Sequence, residues 1–250
     1  MIVLKTTKEL DLMKKACALS ARVLRLAGEM VEPGVTTGAI DKRVREWFAK
    51  AGATPVFLHY NGFPAAACIS INNEVIHGIP SPKRVIQPGD LVSIDLGAKL
   101  NGYIGDNAAT FAAGDISPEA KRLSDTTREA LYVGIRAACT GGRVGDIGAA
   151  VQSYCEARGY SLVRDYTGHG VGRELHEDPS VPNFGTPGRG ARLLPGMTIA
   201  IEPMVNQGKK EIRTLEDNWT VRTRDGSLSA HFEHTIAITA NGPVILTVED

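Results

Sequence analysis

The sequence predicts an α+β fold in which one set of helices and antiparallel strands occurs twice. Three features carry that expectation. The chain resembles itself at a constant offset of 107 residues. Helical periodicity is gathered into paired segments that precede runs of strand-like sequence, and helices set apart from strands indicate α+β. Asn-Gly and Asp-Gly dipeptides punctuate the strands, as in antiparallel hairpins.

The offset is clearest where Pro88-Gly89-Asp90-Leu91-Val92-Ser93-Ile94-Asp95 lines up with Pro195-Gly196-Met197-Thr198-Ile199-Ala200-Ile201-Glu202. The same shift carries Leu24 to Leu131, Gly34 to Gly141, Ile40 to Ile147, Val44 to Val151 and Gly52 to Gly159. A period this long in 250 residues means two lobes, whereas a solenoid repeats over roughly 20–50 residues. The expectation is one domain over residues 1–250, with related halves at about 20–115 and 127–222 and no linker between them.

The elements follow in order. Thr6 and Glu9 make a capping box ahead of Leu10, Met13 and Cys17. That helix is expected to end near Pro33-Gly34. Ile40, Val44, Trp47, Phe48 and Ala51 recur at helical spacing until Gly52. Strands are expected at Leu91–Leu100 and Tyr103–Ala112, joined by the two-residue turn Asn101-Gly102. Ser117 caps the next helix, with Pro118 at its first position. Ile147, Val151 and Tyr154 mark a fourth, stopped by Gly159. Further strands are expected at Met197–Val205 and Ala230–Thr239, with Asp225-Gly226 and Asn241-Gly242 as hairpin turns.

Composition narrows the function. A chain 43% hydrophobic and 22% charged can bury a large core without disulfides. Twenty-eight basic residues balance 28 acidic ones, which argues against a general nucleic-acid binder. No apolar run is long enough to span a membrane, and Met1 to Lys15 lacks the pattern of a signal peptide. Cys17, Cys68, Cys139 and Cys155 form no CxxC pair and read as free thiols of a reducing cytosol.

The chemistry is carried by acids where a sheet should be apolar: Asp95, Asp106, Glu202 and Glu233. Buried carboxylates are costly without partners, and no basic cluster accompanies these four in sequence. Divalent metal is the economical answer. With a two-residue turn at Asn101-Gly102, Asp95 faces Ala108 and Gly97 faces Asp106. The two aspartates then share a sheet face as diagonal neighbours about 7–8 Å apart, close enough to grip metals about 3.5–4 Å apart. Asp95 and Glu202 hold equivalent places in the repeat, so two lobes would bring them together. His169 lies between Gly168 and Gly170, which lets its backbone approach a neighbour closely and aims the imidazole inward. His176 follows it, and His77 precedes the first acidic strand. His59 and His231 read as structural or exposed. Carboxylates with imidazole suit Mn, Fe, Co or Zn rather than a cysteine-rich structural zinc site. The chemistry such a pair favours is hydrolysis, with Glu202 placed to shuttle a proton.

Asp95, Asp106, His169, Glu202 and Glu233, in that order, resemble the ligand set of the methionine aminopeptidases. The segments Asn73-Glu74-Val75-Ile76-His77-Gly78-Ile79-Pro80, Thr167-Gly168-His169-Gly170-Val171-Gly172, Gly196-Met197-Thr198-Ile199-Ala200-Ile201-Glu202-Pro203-Met204 and Phe232-Glu233-His234-Thr235 are similar to that family's signatures. The resemblance covers essentially the whole chain. It is of the type I form, because only 26 residues separate His176 from Glu202 and leave no room for the type II insertion. It implies the duplicated pita-bread fold and removal of an initiator methionine when the second residue is small. It also implies two divalent cations on those five ligands. His77 would contact substrate and help move protons, His176 would bond the scissile carbonyl, and Tyr60, Phe63, Cys68 and Trp219 would line the methionine pocket. The implied partners are nascent-chain N-termini and small peptides, with a ribosome contact, no nucleic-acid motif and no membrane, for a cytoplasmic monomer. Leu175, Phe63 and the Gly/Pro-rich stretch 180–192 depart from the family's usual pattern. A proline dipeptidase would carry the same ligands but with an added N-terminal domain, and a metal-free relative would have lost some of them.

Overall fold

Helix ends follow their capping chemistry. In the computed structural model, which describes residues 1–249, α1 (Thr7–Gly28) opens on the expected box. The Thr6 hydroxyl accepts from the Glu9 N–H, and the Glu9 carboxylate accepts from the Thr6 N–H. Met13, Cys17, Val23, Leu24 and Ala27 form its buried stripe. The helix stops at Gly28, short of the expected Pro33-Gly34. A side chain at Gly28 would overlap the Phe111 ring, so only glycine lets the end of the helix lie this close to that ring. α2 (Thr37–Lys50), α3 (Pro118–Ala137) and α4 (Val144–Glu156) lie where periodicity places them, and Ser117 caps α3 with Pro118 in its first turn.

The first half contributes β1 (Thr54–Pro55), β2 (Ala67–Ile71), β3 (Glu74–Ile76), β4 (Leu91–Leu100) and β5 (Tyr103–Ala112). The second contributes β6 (Ser161–Leu162), β7 (Gly168–Gly170), β8 (Glu177–Val181), β9 (Thr198–Ile201), β10 (Met204–Asn206), β11 (Ile212–Thr214) and β12 (Val221–Thr223). β13 (Ser229–His231), β14 (Glu233–Thr239) and β15 (Gly242–Ile245) follow. A nine-stranded antiparallel sheet runs β1-β4-β5-β14-β9-β7-β8, with β2 also on β4 and β15 also on β14. Two three-stranded sheets, β13-β10-β6 and β11-β12-β3, flank it. One apolar cluster joins α1 and α2 to β2 and β4, and another joins α3 and α4 to β9 and β14. Among the described residues, no helix is long and apolar enough to cross a membrane.

Two strand expectations and two turn expectations change. Met197–Val205 is two strands, β9 and β10, separated at Glu202-Pro203, because proline has no N–H for the ladder. Ala230–Thr239 is likewise β13 and β14, separated at Phe232. Asp225-Gly226 is a turn but joins no hairpin, since β12 and β13 belong to different sheets. Its Asp225 carboxylate accepts instead from the Lys209 and Ser227 backbone N–H groups. The last hairpin turns on Ala240-Asn241, one residue earlier than expected, with Gly242 already opposite Thr239.

Contacts recur at the 107-residue spacing. Thr54 pairs with Lys99 as Ser161 pairs with Asn206. The bridge between Thr36 and Val85 is matched by one between Arg143 and Arg192. The Gly34 N–H donates to the Ile86 carbonyl as Gly141 does to that of Leu193.

Candidate metal centre

Cross-strand register builds the floor of the site. Asn101 and Gly102 both have positive φ, 53° and 80°, the signature of a tight two-residue hairpin turn. Leu100 therefore faces Tyr103, Asp95 faces Ala108 and Gly97 faces Asp106, as the turn predicts. Ala108 is next paired with Glu233 on β14, and Cys68 on β2 with Asp95. β14 pairs His234 with Ile201, and β13 pairs His231 with Met204. The register is thus the same on both sides of the strand breaks, and Glu202 and Glu233 face each other across them. Directly paired residues share a sheet face. Cys68, Asp95, Ala108, Glu233 and Glu202 form one row, with the smallest side chain in the middle.

His169 completes the cluster. A side chain at Gly168 would overlap the Ala200 carbonyl, and one at Gly170 that of Asp178, so only glycine lets β7 lie this close to its neighbours. The His169 Nδ1 donates to the Gly170 carbonyl at 2.8 Å. That leaves the Nε2 lone pair free, the form in which imidazole binds metal. Nε2 lies 3.7 Å from Asp106 Oδ2 and 3.5 Å from Glu202 Oε1. Asp106, His169 and Glu233 each offer a ligand atom within 4.8 Å of the others.

The donors fit cations. Asp95 Oδ1, Asp106 Oδ1 and Glu233 Oε1 are buried with no hydrogen-bond partner. Burial pushes Asp106 up to about 7. Burial, reinforced by neighbouring carboxylates, raises Asp95, Glu202 and Glu233 well above the usual carboxylate range. Without positive charge the four cannot all ionise, and an oxygen-rich set with one imidazole answers to hard or borderline divalent ions. Burial, with His176 nearby, holds His169 and His77 down to about 4, so both rings are neutral. The Cys68 thiol is pushed up by burial and by Asp95, which makes it a neutral wall.

A cavity of about 260 Å³ opens over this floor. Tyr60, Phe63, Cys68, His77, His176 and Trp219 all line it, together with Asp95, Asp106, His169, Glu202 and Glu233. Phe63 stands edge-on to Trp219, and His77 edge-on to Tyr166. His77 holds a left-handed backbone at φ 59°, a strained conformation that tends to cluster at functional sites. The Tyr60 hydroxyl is 2.7 Å from His176 Nδ1.

Sequence reasoning missed three residues. Tyr166 lines the cavity and carried no motif. Asn183, in the 180–192 stretch, donates its side-chain N–H to the Glu202 carbonyl at 2.9 Å; nothing local marks it. His231 read as structural or exposed, yet it is fully buried with Nε2 3.6 Å from Glu202 Oε2. The signal was its place two residues before Glu233, since alternate strand residues share a face. His59 is exposed and does not line the cavity.

The sequence profile of metallopeptidase family M24 matches residues 11–240, and the chain is a member of that family with its pita-bread fold. It is 52% identical over 248 residues to a methionine aminopeptidase of Clostridium perfringens, covering 99% of both chains. It superposes on the methionine aminopeptidase of Thermotoga maritima with a TM-score of 0.98 at 46% identity, each chain covered completely. Within the family, the chain belongs to the methionine aminopeptidases. The prolidase of Pyrococcus horikoshii is more distant, at 25% identity and a TM-score of 0.79, and only 65% of that chain is covered.

Proposed function

We propose that the protein removes the N-terminal methionine from polypeptides whose second residue is small, using two divalent cations held by Asp95, Asp106, His169, Glu202 and Glu233. The observation that carries this reading is the row of buried carboxylates, with unpartnered oxygens, beneath an aromatic-walled cavity. Such cations, when bound, lower the pKa of water toward neutrality and polarise a carbonyl. Glu202 accepts the proton of the attacking water and returns it to the leaving amine. The Tyr60 hydroxyl lies 2.7 Å from His176 Nδ1; in the tautomer that accepts from Tyr60, His176 carries its proton on Nε2 and offers it to the scissile carbonyl. His77, neutral through burial, positions substrate and helps carry protons. Tyr60, Phe63, Cys68 and Trp219 enclose the methionine side chain, whose flexible thioether suits an apolar, aromatic wall. The preference for a small second residue is what the resemblance to the methionine aminopeptidases implies.

The same reading takes the chain as one catalytic domain of two related halves, supported by contacts that recur at the repeat spacing. It takes nascent chains and small peptides as partners, a cytoplasmic monomer as the working form, and a ribosome contact testable by salt-sensitive co-sedimentation. Four free cysteines, three of them buried, suit a reducing compartment.

The test is hydrolysis by chelator-stripped protein, with and without Co²⁺ or Mn²⁺, of Met-Ala-Ser, Leu-Ala-Ser and Ala-Pro-Ser. Metal-dependent release of methionine alone is expected. Efficient release of leucine, or faster cleavage before proline, overturns the reading.

A further inference from the structure

His231 is buried in β13, and its Nε2 has no hydrogen-bond partner. A buried polar group without a partner is costly. The ring is not free to look elsewhere, because Thr110 clamps its backbone on both sides. The His231 N–H donates to Thr110 Oγ1 at 3.0 Å, and the Thr110 hydroxyl donates to the His231 carbonyl at 2.9 Å. Ser93 lies 2.8 Å from that hydroxyl. Ser93 and Thr110 belong to the hairpin face that carries Asp95 and Asp106, so the acidic hairpin itself fixes where His231 stands.

Glu202 needs such a neighbour. It sits where the ladder breaks before Pro203, and its backbone carbonyl is held by Asn183. Its flexible side chain has a near neighbour at Oε1, where His169 Nε2 lies 3.5 Å away. At Oε2 the neighbour is His231 Nε2, at 3.6 Å. Closing about half an ångström brings that pair to hydrogen-bond length.

We propose that His231 is a positioning residue whose Nε2–H holds the Glu202 carboxylate in the orientation in which it serves as ligand and proton acceptor. The proposal rests on the reading of Glu202 given above. Groups that orient a metal ligand through a hydrogen bond typically contribute about 10–100-fold to metal affinity or activity.

Three replacements separate this role from simple filling of space. A glutamine amide reaches about as far as imidazole Nε2, whereas an asparagine amide reaches only as far as Nδ1. His231→Gln, His231→Asn and His231→Leu are compared with the unsubstituted chain in apo melting temperature, Co²⁺ affinity by visible absorption, and kcat and KM on Met-Ala-Ser. H231Q is expected to stay within about threefold of the unsubstituted chain. H231N and H231L are expected to lose about 10–100-fold in Co²⁺ affinity or kcat, with KM nearly unchanged. Equal losses in H231Q and H231N, or no loss in H231N and H231L, overturn the proposal. If H231L does not fold, the Gln/Asn pair decides. Glu202→Gln tests the underlying reading separately: full Co²⁺ affinity and full kcat in E202Q would remove Glu202 from the site whatever His231 does.

Discussion

The acidic hairpin of the first half and its counterpart in the second reach the same cavity by different means. β4 and β5 pair without interruption from Leu91–Ala112 to Leu100–Tyr103. Every side chain on that ladder is placed by a two-residue turn. In the second half the equivalent strand breaks at Glu202-Pro203, and the chain leaves the nine-stranded sheet for the sheet β13-β10-β6. The Glu202 carbonyl is there satisfied by Asn183, and its carboxylate lies against His169 and His231. A carboxylate on an unbroken hairpin is placed by local register. A carboxylate at a strand break is placed by residues remote in sequence.

The two-residue turn at Asn101-Gly102 is what fixes the first half. Inserting one glycine between Asn101 and Gly102 would move the residues of β5 to the opposite face. Loss of measurable Co²⁺ binding is expected by titration, while the same insertion between Ala240 and Asn241, in the β14–β15 turn, leaves binding intact. Equal effects at both turns would show that the hairpin is not what places Asp106.

Glu202→Ala tests the other half. Metal content by elemental analysis should fall together with the single-turnover rate, by on the order of 10³–10⁴-fold in rate. Retained metal with a lost rate would sharpen the contrast, making Glu202 a proton carrier and not a ligand. His77→Ala acts outside the row. It should lower kcat on the order of 10²-fold with metal content unchanged, and a rate close to that of the unsubstituted chain would leave His77 as a strained turn residue only.

The smallest effect concerns the strap joining the N-terminus to the second half. The Lys5 N–H donates to the Gly196 carbonyl at 2.7 Å, and its ammonium pairs with Glu177 at 2.5 Å. Burial works to raise the Glu177 carboxyl, but the Lys5 contact and backbone N–H groups leave it below the usual range. A depressed carboxylate stabilises the fold above its unfolded pKa, near 4.5, and the contribution fades as pH falls through the lower folded value. Lys5→Met should therefore cost a few kcal/mol in urea unfolding at pH 7 and progressively less below about pH 4. A cost that is independent of pH would make the strap a matter of packing alone.

Much of the floor was legible from residues alone. Asp95 and Asp106 followed from Asn101-Gly102, because hairpin parity is a local property. His169 was marked by its flanking glycines, which the close approach of Ala200 and Asp178 requires. The interruption at Phe232 was not legible, nor was the close packing of Gly28, at the end of α1, on the Phe111 ring, 83 residues further along the chain. Asn183 and His231 were missed for one reason: each meets an atom of Glu202, which is remote from it in sequence.

By itself, the sequence determined where the four helices lie and the N-caps of α1 and α3, the β4–β5 register, and the presence of acids where a sheet should be apolar. Each depends on residues within a turn or two of one another. Only the tertiary structure decided that Cys68, Asp95, Ala108, Glu233 and Glu202 stand in one row. It alone showed which carboxylate oxygens are left without partners, and that a histidine of unremarkable sequence stands against Glu202. The physical reason is that burial, and the charge a buried group can keep, are set by neighbours that strand pairing brings from other parts of the chain.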